Sequence, residues 1–168
     1  MLKKIGCLGL PCVVAVCLIL VWPVWAQEPA PNLELTTLKG ERLTLAGLKG
    51  KVVVLNFFAT WCGPCRMEMP ELVKLQKELG GKGLQILGLA FSPKVMELKP
   101  KEVRKFIADF GLNYPVAIYG QKEIEAYGGV RAVPTTLFVD RQGRWAGGVQ
   151  GLVSRKALME KLSALLDG

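Results

Sequence analysis

The sequence predicts an α/β fold, a central mixed β-sheet flanked by helices, with an N-terminal β-hairpin and an inserted helix–strand segment. Three observations carry this. The apolar runs Val52–Phe58 and Leu84–Phe91 are separated by a helical pattern, which makes a parallel strand–helix–strand unit with a right-handed crossover. Two further strand patterns, Thr135–Val139 and Arg144–Val149, flank the turn Asp140-Arg141-Gln142-Gly143, and a tight hairpin pairs its strands antiparallel. Residues 27–168 suffice for one domain with its own core, and no internal repeat or low-complexity tract divides them.

The elements follow in chain order. Met1 to Ala26 has a charged start at Lys3 and Lys4, an almost wholly apolar stretch from Ile5 to Val21, and Val24-Trp25-Ala26 before the polar Gln27-Glu28. This is the pattern of an export signal cleaved after Ala26. Ile5 to Ala26 is also long enough to span a bilayer as an uncleaved anchor, so residues 1–26 are read as signal peptide or membrane anchor and 27–168 as the folded domain. In either case the leading lysines stay inside and the domain crosses. A lipid anchor on Cys17 is not favoured, because Val16 rather than a small residue precedes it.

Leu33 to Leu45 alternates apolar and polar residues around Lys39-Gly40, a small hairpin expected at the domain edge. Lys51 to Phe58 reads as a buried central strand. The next helix should run from Gly63 to Leu79, with Pro64 in its first turn, a kink at Pro70 and a stop at Gly80-Gly81. A second helix is expected over Pro100–Phe110, where Val103, Phe106, Ile107 and Phe110 share a face. A strand at Pro115–Tyr119, a helix at Gln121–Tyr127 and the closing hairpin come next. Ser154 caps a last helix that turns Leu158, Leu162, Leu165 and Leu166 inward.

The chemistry concentrates in Trp61-Cys62-Gly63-Pro64-Cys65. A cysteine between a buried strand and a helix start meets unsatisfied N–H groups and the positive end of the helix dipole, which favour its thiolate. Cys62 is therefore the expected nucleophile. Cys65, one turn along, can resolve a mixed disulfide, and the pair can cycle between dithiol and disulfide. Cys7, Cys12 and Cys17 all fall in the export segment, so the mature domain keeps these two alone. In an oxidising compartment a lone pair is a structural staple or a redox centre. A two-residue loop gains little as a staple, which favours the centre.

Glu68 lies with Cys65, Leu72, Leu75 and Leu79 on the stripe that should face the sheet. Burial would raise its pKa and suit it to take and return the proton of Cys65. Trp61 could shield the thiolate and offer a flat contact to a substrate while packing partly on the domain.

The formal net charge is +8, and removal of Lys3 and Lys4 leaves +6, spread over Lys49-Gly50-Lys51, Lys99 to Lys105 and Arg141 to Arg144. No basic run is interleaved with stacking aromatics, so these charges read as solvated surface rather than a nucleic-acid site. Two cysteines and no histidine fall short of a structural zinc site, and Arg66 stands where a c-type haem motif needs His. No metal or cofactor is expected.

Together with Val133-Pro134-Thr135 about seventy residues on and the order of elements, the Trp-Cys-Gly-Pro-Cys run resembles thioredoxin. The segment Phe91 to Tyr119, the amino-terminal hairpin and the export signal make the chain more similar to the extracytoplasmic TlpA/ResA-like thiol-disulfide oxidoreductases, over roughly Asn32 to Leu166. The resemblance implies a cis Val133–Pro134 bond facing the cysteines, with the Val133 backbone free to pair with an extended substrate segment. It also implies a proton-relay Glu three residues after the second cysteine, which is Glu68. Thioredoxin has a buried Asp where this chain has Asn56. Asn cannot exchange a proton, and Asn56 is read as a structural hydrogen-bonding residue.

Gly63-Pro64 adds no charge beside Cys62, so the pair is expected to be reducing. The resemblance implies a membrane-embedded thiol carrier as electron donor and, as protein substrate, a target such as apocytochrome c cysteines awaiting haem. A disulfide-forming oxidase or isomerase, and a non-catalytic redox-sensing module, remain alternatives. A copper-delivering relative would show wider cysteine spacing and a distant His. A peroxiredoxin relative would show Thr where Ala59 stands.

Overall fold

The computed structural model describes residues 28–91, 99–120, 125, 130 and 132–168. The expected helix at Gln121–Tyr127 falls, apart from Glu125, outside the described residues, as do residues 1–26. Among the described residues ten strands and α-helices follow one another: β1 (Glu34–Thr36), β2 (Arg42–Thr44), β3 (Val52–Phe58), α1 (Gly63–Leu79), β4 (Leu84–Phe91), α2 (Pro100–Phe110), β5 (Val116–Tyr119), β6 (Thr135–Val139), β7 (Trp145–Gln150) and α3 (Arg155–Leu166). The main sheet has the order β5-β4-β3-β6-β7 and is mixed. β3, β4 and β5 run parallel, while β6 is antiparallel to β3 and β7 to β6.

β3 is buried along its whole length because both faces of the sheet are covered. Side chains alternate across a strand, so Val52, Val54 and Phe58 join one core with Leu72 and Leu75 of α1, Phe106 of α2 and Leu158 and Leu162 of α3. Val53, Leu55 and Phe57 join a second core on the other face. Asn56 has the parity of the first set and points toward α1.

The amino-terminal hairpin lies at the domain edge, as expected, and covers more than that edge. It meets the edge strand β5 through a bridge between Thr37 and Ala117. It also sends Leu33, Leu35 and Leu45 into the second core. The reason is area: the second face of β3 and β4 carries Leu55, Phe57, Leu87 and Leu89, and covering them removes apolar surface from water at roughly 25 cal/mol per Å². Thr37 closes the hairpin turn, its hydroxyl accepting from the N–H groups of Lys39 and Glu41.

Helix α1 has the expected bounds and contains Pro70. Its stop differs. Gly80 keeps right-handed helical angles and a 3-10 turn runs on through Lys82, so the reversal falls on Gly83 at φ +100°. In α3 Leu158 and Leu162 are buried, whereas Leu165 and Leu166 are partly covered and pack against the same core. Among the described residues no helix is long and apolar enough to cross a membrane.

Candidate active site

Cys62 is the N-cap of α1, with extended angles (φ −80°, ψ 113°) between the end of β3 and the first turn. Its sulfur accepts the backbone N–H of Cys65 at 3.2 Å, one of the donors that a helix start leaves unsatisfied. Pro64 fits the first turn, where its missing N–H is not needed. Cys62 and Cys65 form a disulfide, with Cα atoms 5.3 Å apart. Exposure separates the two: Cys62 is 5 % accessible and Cys65 is fully covered. A partner sulfur can therefore reach only the first.

The loop before β6 faces the pair. The carbonyl oxygen of Val133 lies 3.7 Å from the Cys62 sulfur, and the Val133–Pro134 peptide bond is cis. This loop is held on both sides, since the Thr135 hydroxyl donates to the Ala132 carbonyl at 2.7 Å and the Gly151 N–H donates to the Pro134 carbonyl at 2.7 Å. Trp61 stands at the rim with 56 % of its surface exposed. Arg66, the cation nearest in sequence, donates to the Thr60 carbonyl and lies over the rings of Phe106 and Phe110.

Beneath the disulfide sits Glu68, one turn after Cys65 on the buried face of α1 and only 2 % exposed. Desolvation pushes its pKa from 4.5 up to about 7, against hydrogen bonds from the Asn56 side chain and the Val153 backbone that favour the charged form. The Asn56 amide donates to the carboxyl at 2.7 Å and to the Thr136 hydroxyl at 3.3 Å. Tyr114 is buried nearby and donates to the Met69 sulfur at 3.3 Å. Burial first, and the Glu68 charge second, push its phenol well above the ordinary range.

The structure thus brings Cys62, Cys65, Val133 and Pro134 together, with Trp61 beside them and Glu68 below. It adds Asn56, Thr136, Val153 and Tyr114, which the sequence did not place at the site. Asn56 and Thr136 could have been paired from strand parity once β3 and β6 were known to be neighbours. Nothing in the sequence marks the Val153 N–H. Among the described residues no three His, Cys, Asp or Glu side chains gather as metal ligands.

The AhpC/TSA family model matches residues 26–145, from just before the first described residue to the start of β7. The chain belongs to the AhpC/TSA family. Among similar members, the thioredoxin-like protein YneN of Bacillus subtilis is 40 % identical over 135 residues, which are 80 % of this chain and 77 % of YneN. The thiol-disulfide oxidoreductase ResA of Bacillus thuringiensis is 40 % identical over 118 residues, 70 % of this chain and 65 % of ResA, just under two thirds of that relative's length. A crystal structure of a thiol:disulfide interchange protein of the thioredoxin family from Chlorobium tepidum superposes with TM-score 0.75 at 31 % identity, covering 83 % of this chain and 97 % of that one. This family member has the thioredoxin-like fold and is a thiol-disulfide oxidoreductase of the ResA type.

Proposed function

We propose that this oxidoreductase works outside the cytoplasm as a protein-disulfide reductase. The observation that carries the reading is the buried Glu68 carboxyl one helical turn behind Cys65. Added positive charge near Cys62 would stabilise the thiolate and make the pair oxidising, whereas a carboxylate beneath the pair opposes thiolate formation. Gly63 and Pro64 add no charge. In the proposed cycle the Cys62 thiolate attacks a partner disulfide and forms a mixed disulfide, releasing one partner thiolate that takes a proton. Cys65 passes its proton to Glu68 and attacks the Cys62 sulfur, releasing the second partner thiolate, which is protonated in turn. Two electrons have moved to the partner, and the protein is left as the Cys62–Cys65 disulfide.

Val133 and Pro134 form the docking edge in this reading. The Val133 backbone would pair with an extended segment around the partner cysteine, and Trp61 would cover the reacting sulfurs. Residues 1–26 act as export signal or membrane anchor, a membrane-embedded thiol carrier returns the electrons, and apocytochrome c cysteines are the substrate proposed from the family resemblance. The deciding experiment is the reduction potential against a thiol buffer. A value near that of thioredoxin, about −270 mV, supports the reductase, and one near the about −120 mV of a strong oxidant would replace it with disulfide formation. Cys65→Ser should accumulate partner proteins as mixed disulfides, while Cys62→Ser should capture none. The reverse pattern would exchange the two roles.

A further inference from the structure

Glu68 is buried, yet among the described residues the groups that meet it include no cation. Cys65 precedes it by one turn on α1, Asn56 reaches it from β3, the Val153 N–H reaches it from the segment before α3, and Tyr114 lies in front of β5. The Tyr114 hydroxyl is already committed to Met69. Asn56 is thus the side chain whose hydrogen bond to the carboxyl defines where that carboxyl sits. Its environment is unusual in one respect. The amide nitrogen has two acceptors, Glu68 and the Thr136 hydroxyl, while the amide oxygen, equally buried, has no partner among the described residues. Buried polar atoms are normally paired, and one left over beside a titratable group points to a second arrangement in which it is used.

A carboxylate only accepts hydrogen bonds, whereas a carboxylic acid must also place a proton. A side-chain amide carries both complementary atoms in nearly the same shape. We propose that Asn56 is a positioning residue that holds Glu68 in both of its protonation states: its nitrogen donates to the carboxylate, and after a half-turn of the amide its oxygen accepts from the acid. In the turned form the Thr136 hydroxyl, which rotates freely, donates to the same oxygen, and the unpartnered position passes to the nitrogen. Each orientation leaves one atom of the amide unfilled, so neither state is locked, and a proton can arrive at Glu68 and leave it without rebuilding the core. Asp at this position would add a second negative charge, and Leu would leave the carboxyl only the Val153 N–H. The inference rests on the reading of Glu68 as the group that exchanges a proton with Cys65.

The experiment follows the Glu68 carboxyl by carbon-13 NMR in the oxidised full chain, where neither Cys62 nor Cys65 titrates, for wild type and Asn56→Leu. Asn56→Leu removes the hydrogen bond to either state, and because the bond to the charged form is the stronger of the two, the Glu68 midpoint should move upward by about one pH unit. In the reduced protein the pH profile of Cys62 alkylation should shift the same way for Asn56→Leu, and Asn56→Leu should add no shift when placed on Glu68→Gln. An unmoved Glu68 midpoint overturns the role of Asn56 and leaves the Glu68 reading intact. Alkylation and exchange profiles unchanged by Glu68→Gln alone would instead remove the reading on which the inference rests. If Asn56→Leu does not fold, the wild-type protein answers: Overhauser contacts from the Asn56 amide protons to Glu68 should be present above its midpoint and lost below it. Contacts that persist on both sides would rule out the turning amide.

Discussion

Glu68 links the chemistry of the site to the stability of the fold. Its pKa lies near 4.5 in an exposed chain and about 7 in the fold, so the native state binds its proton more tightly than the unfolded state does. Below pH 4.5 both states are protonated and the native state keeps its full stability. As pH rises toward 7 the unfolded chain ionises first and that advantage is lost, amounting to about 3 kcal/mol for a shift of this size. Urea unfolding of the oxidised protein should therefore show Glu68→Gln gaining on wild type by up to about 3 kcal/mol between pH 5 and pH 8. A constant difference across that range would mean that the carboxyl is solvated. In the reduced protein the same substitution should slow disulfide exchange on the order of 100-fold, the usual contribution of a positioned acid or base. At this scale the cysteines and Glu68 were legible because spacing along one helix places them. Asn56 was visible as a structural hydrogen-bonding residue unable to exchange a proton, but not as the partner of Glu68, because that tie depends on how β3 and α1 face each other.

Between the strands, Gly88 of β4 makes room for the site. It sits opposite Asn56 in the parallel register, and a Cβ there would lie 3.0 Å from Val116, 3.2 Å from Tyr114 and 3.3 Å from Phe58. The missing side chain lets the Tyr114 ring close over the sheet beside Asn56. Gly88→Ala should destabilise the protein by about 1–3 kcal/mol through overpacking and should also disturb the alkylation pH profile, because Tyr114 must move. An unchanged unfolding midpoint would show that the ring has slack. The apolar run made β4 predictable, but a glycine inside it carries no sign of which rings lean over it. The same limit explains the hairpin. Its alternation marked two strands, while its hold on the second core depends on which face of the sheet the helices leave open.

For the whole molecule, the amino-terminal segment and the helices share the task of covering one sheet from two sides. Leu35 is the test, since it is buried in the core of Val53, Leu55 and Phe57, whereas the cysteines belong to the other core. Leu35→Ala should cost about 2–5 kcal/mol in thermal or urea unfolding and leave the reduction potential unchanged. A loss of less than about 0.5 kcal/mol, the range of ordinary surface changes, would show that the segment is loosely laid on the sheet. That the chain forms one α/β unit was readable from its strand and helix patterns. That its first strands seal the second face was not, because two apolar alternations of equal strength fit an edge or a face.

The chain enters this fold at a telling place. The Glu28 carbonyl accepts the Trp145 N–H at 3.0 Å and the Ala30 N–H donates to the Gly143 carbonyl at 3.0 Å, pinning the entry to the start of β7. Trp145 pairs with Val139 and Val139 with Val53, so this is the end of the sheet where β3 begins, while Cys62 follows the end where β3 finishes. Seven strand residues, roughly 20 Å, lie between the two poles. The disulfide therefore opens at the pole of the sheet opposite the point where the chain enters it, so a surface met at Glu28 would leave the reacting sulfurs facing away from it.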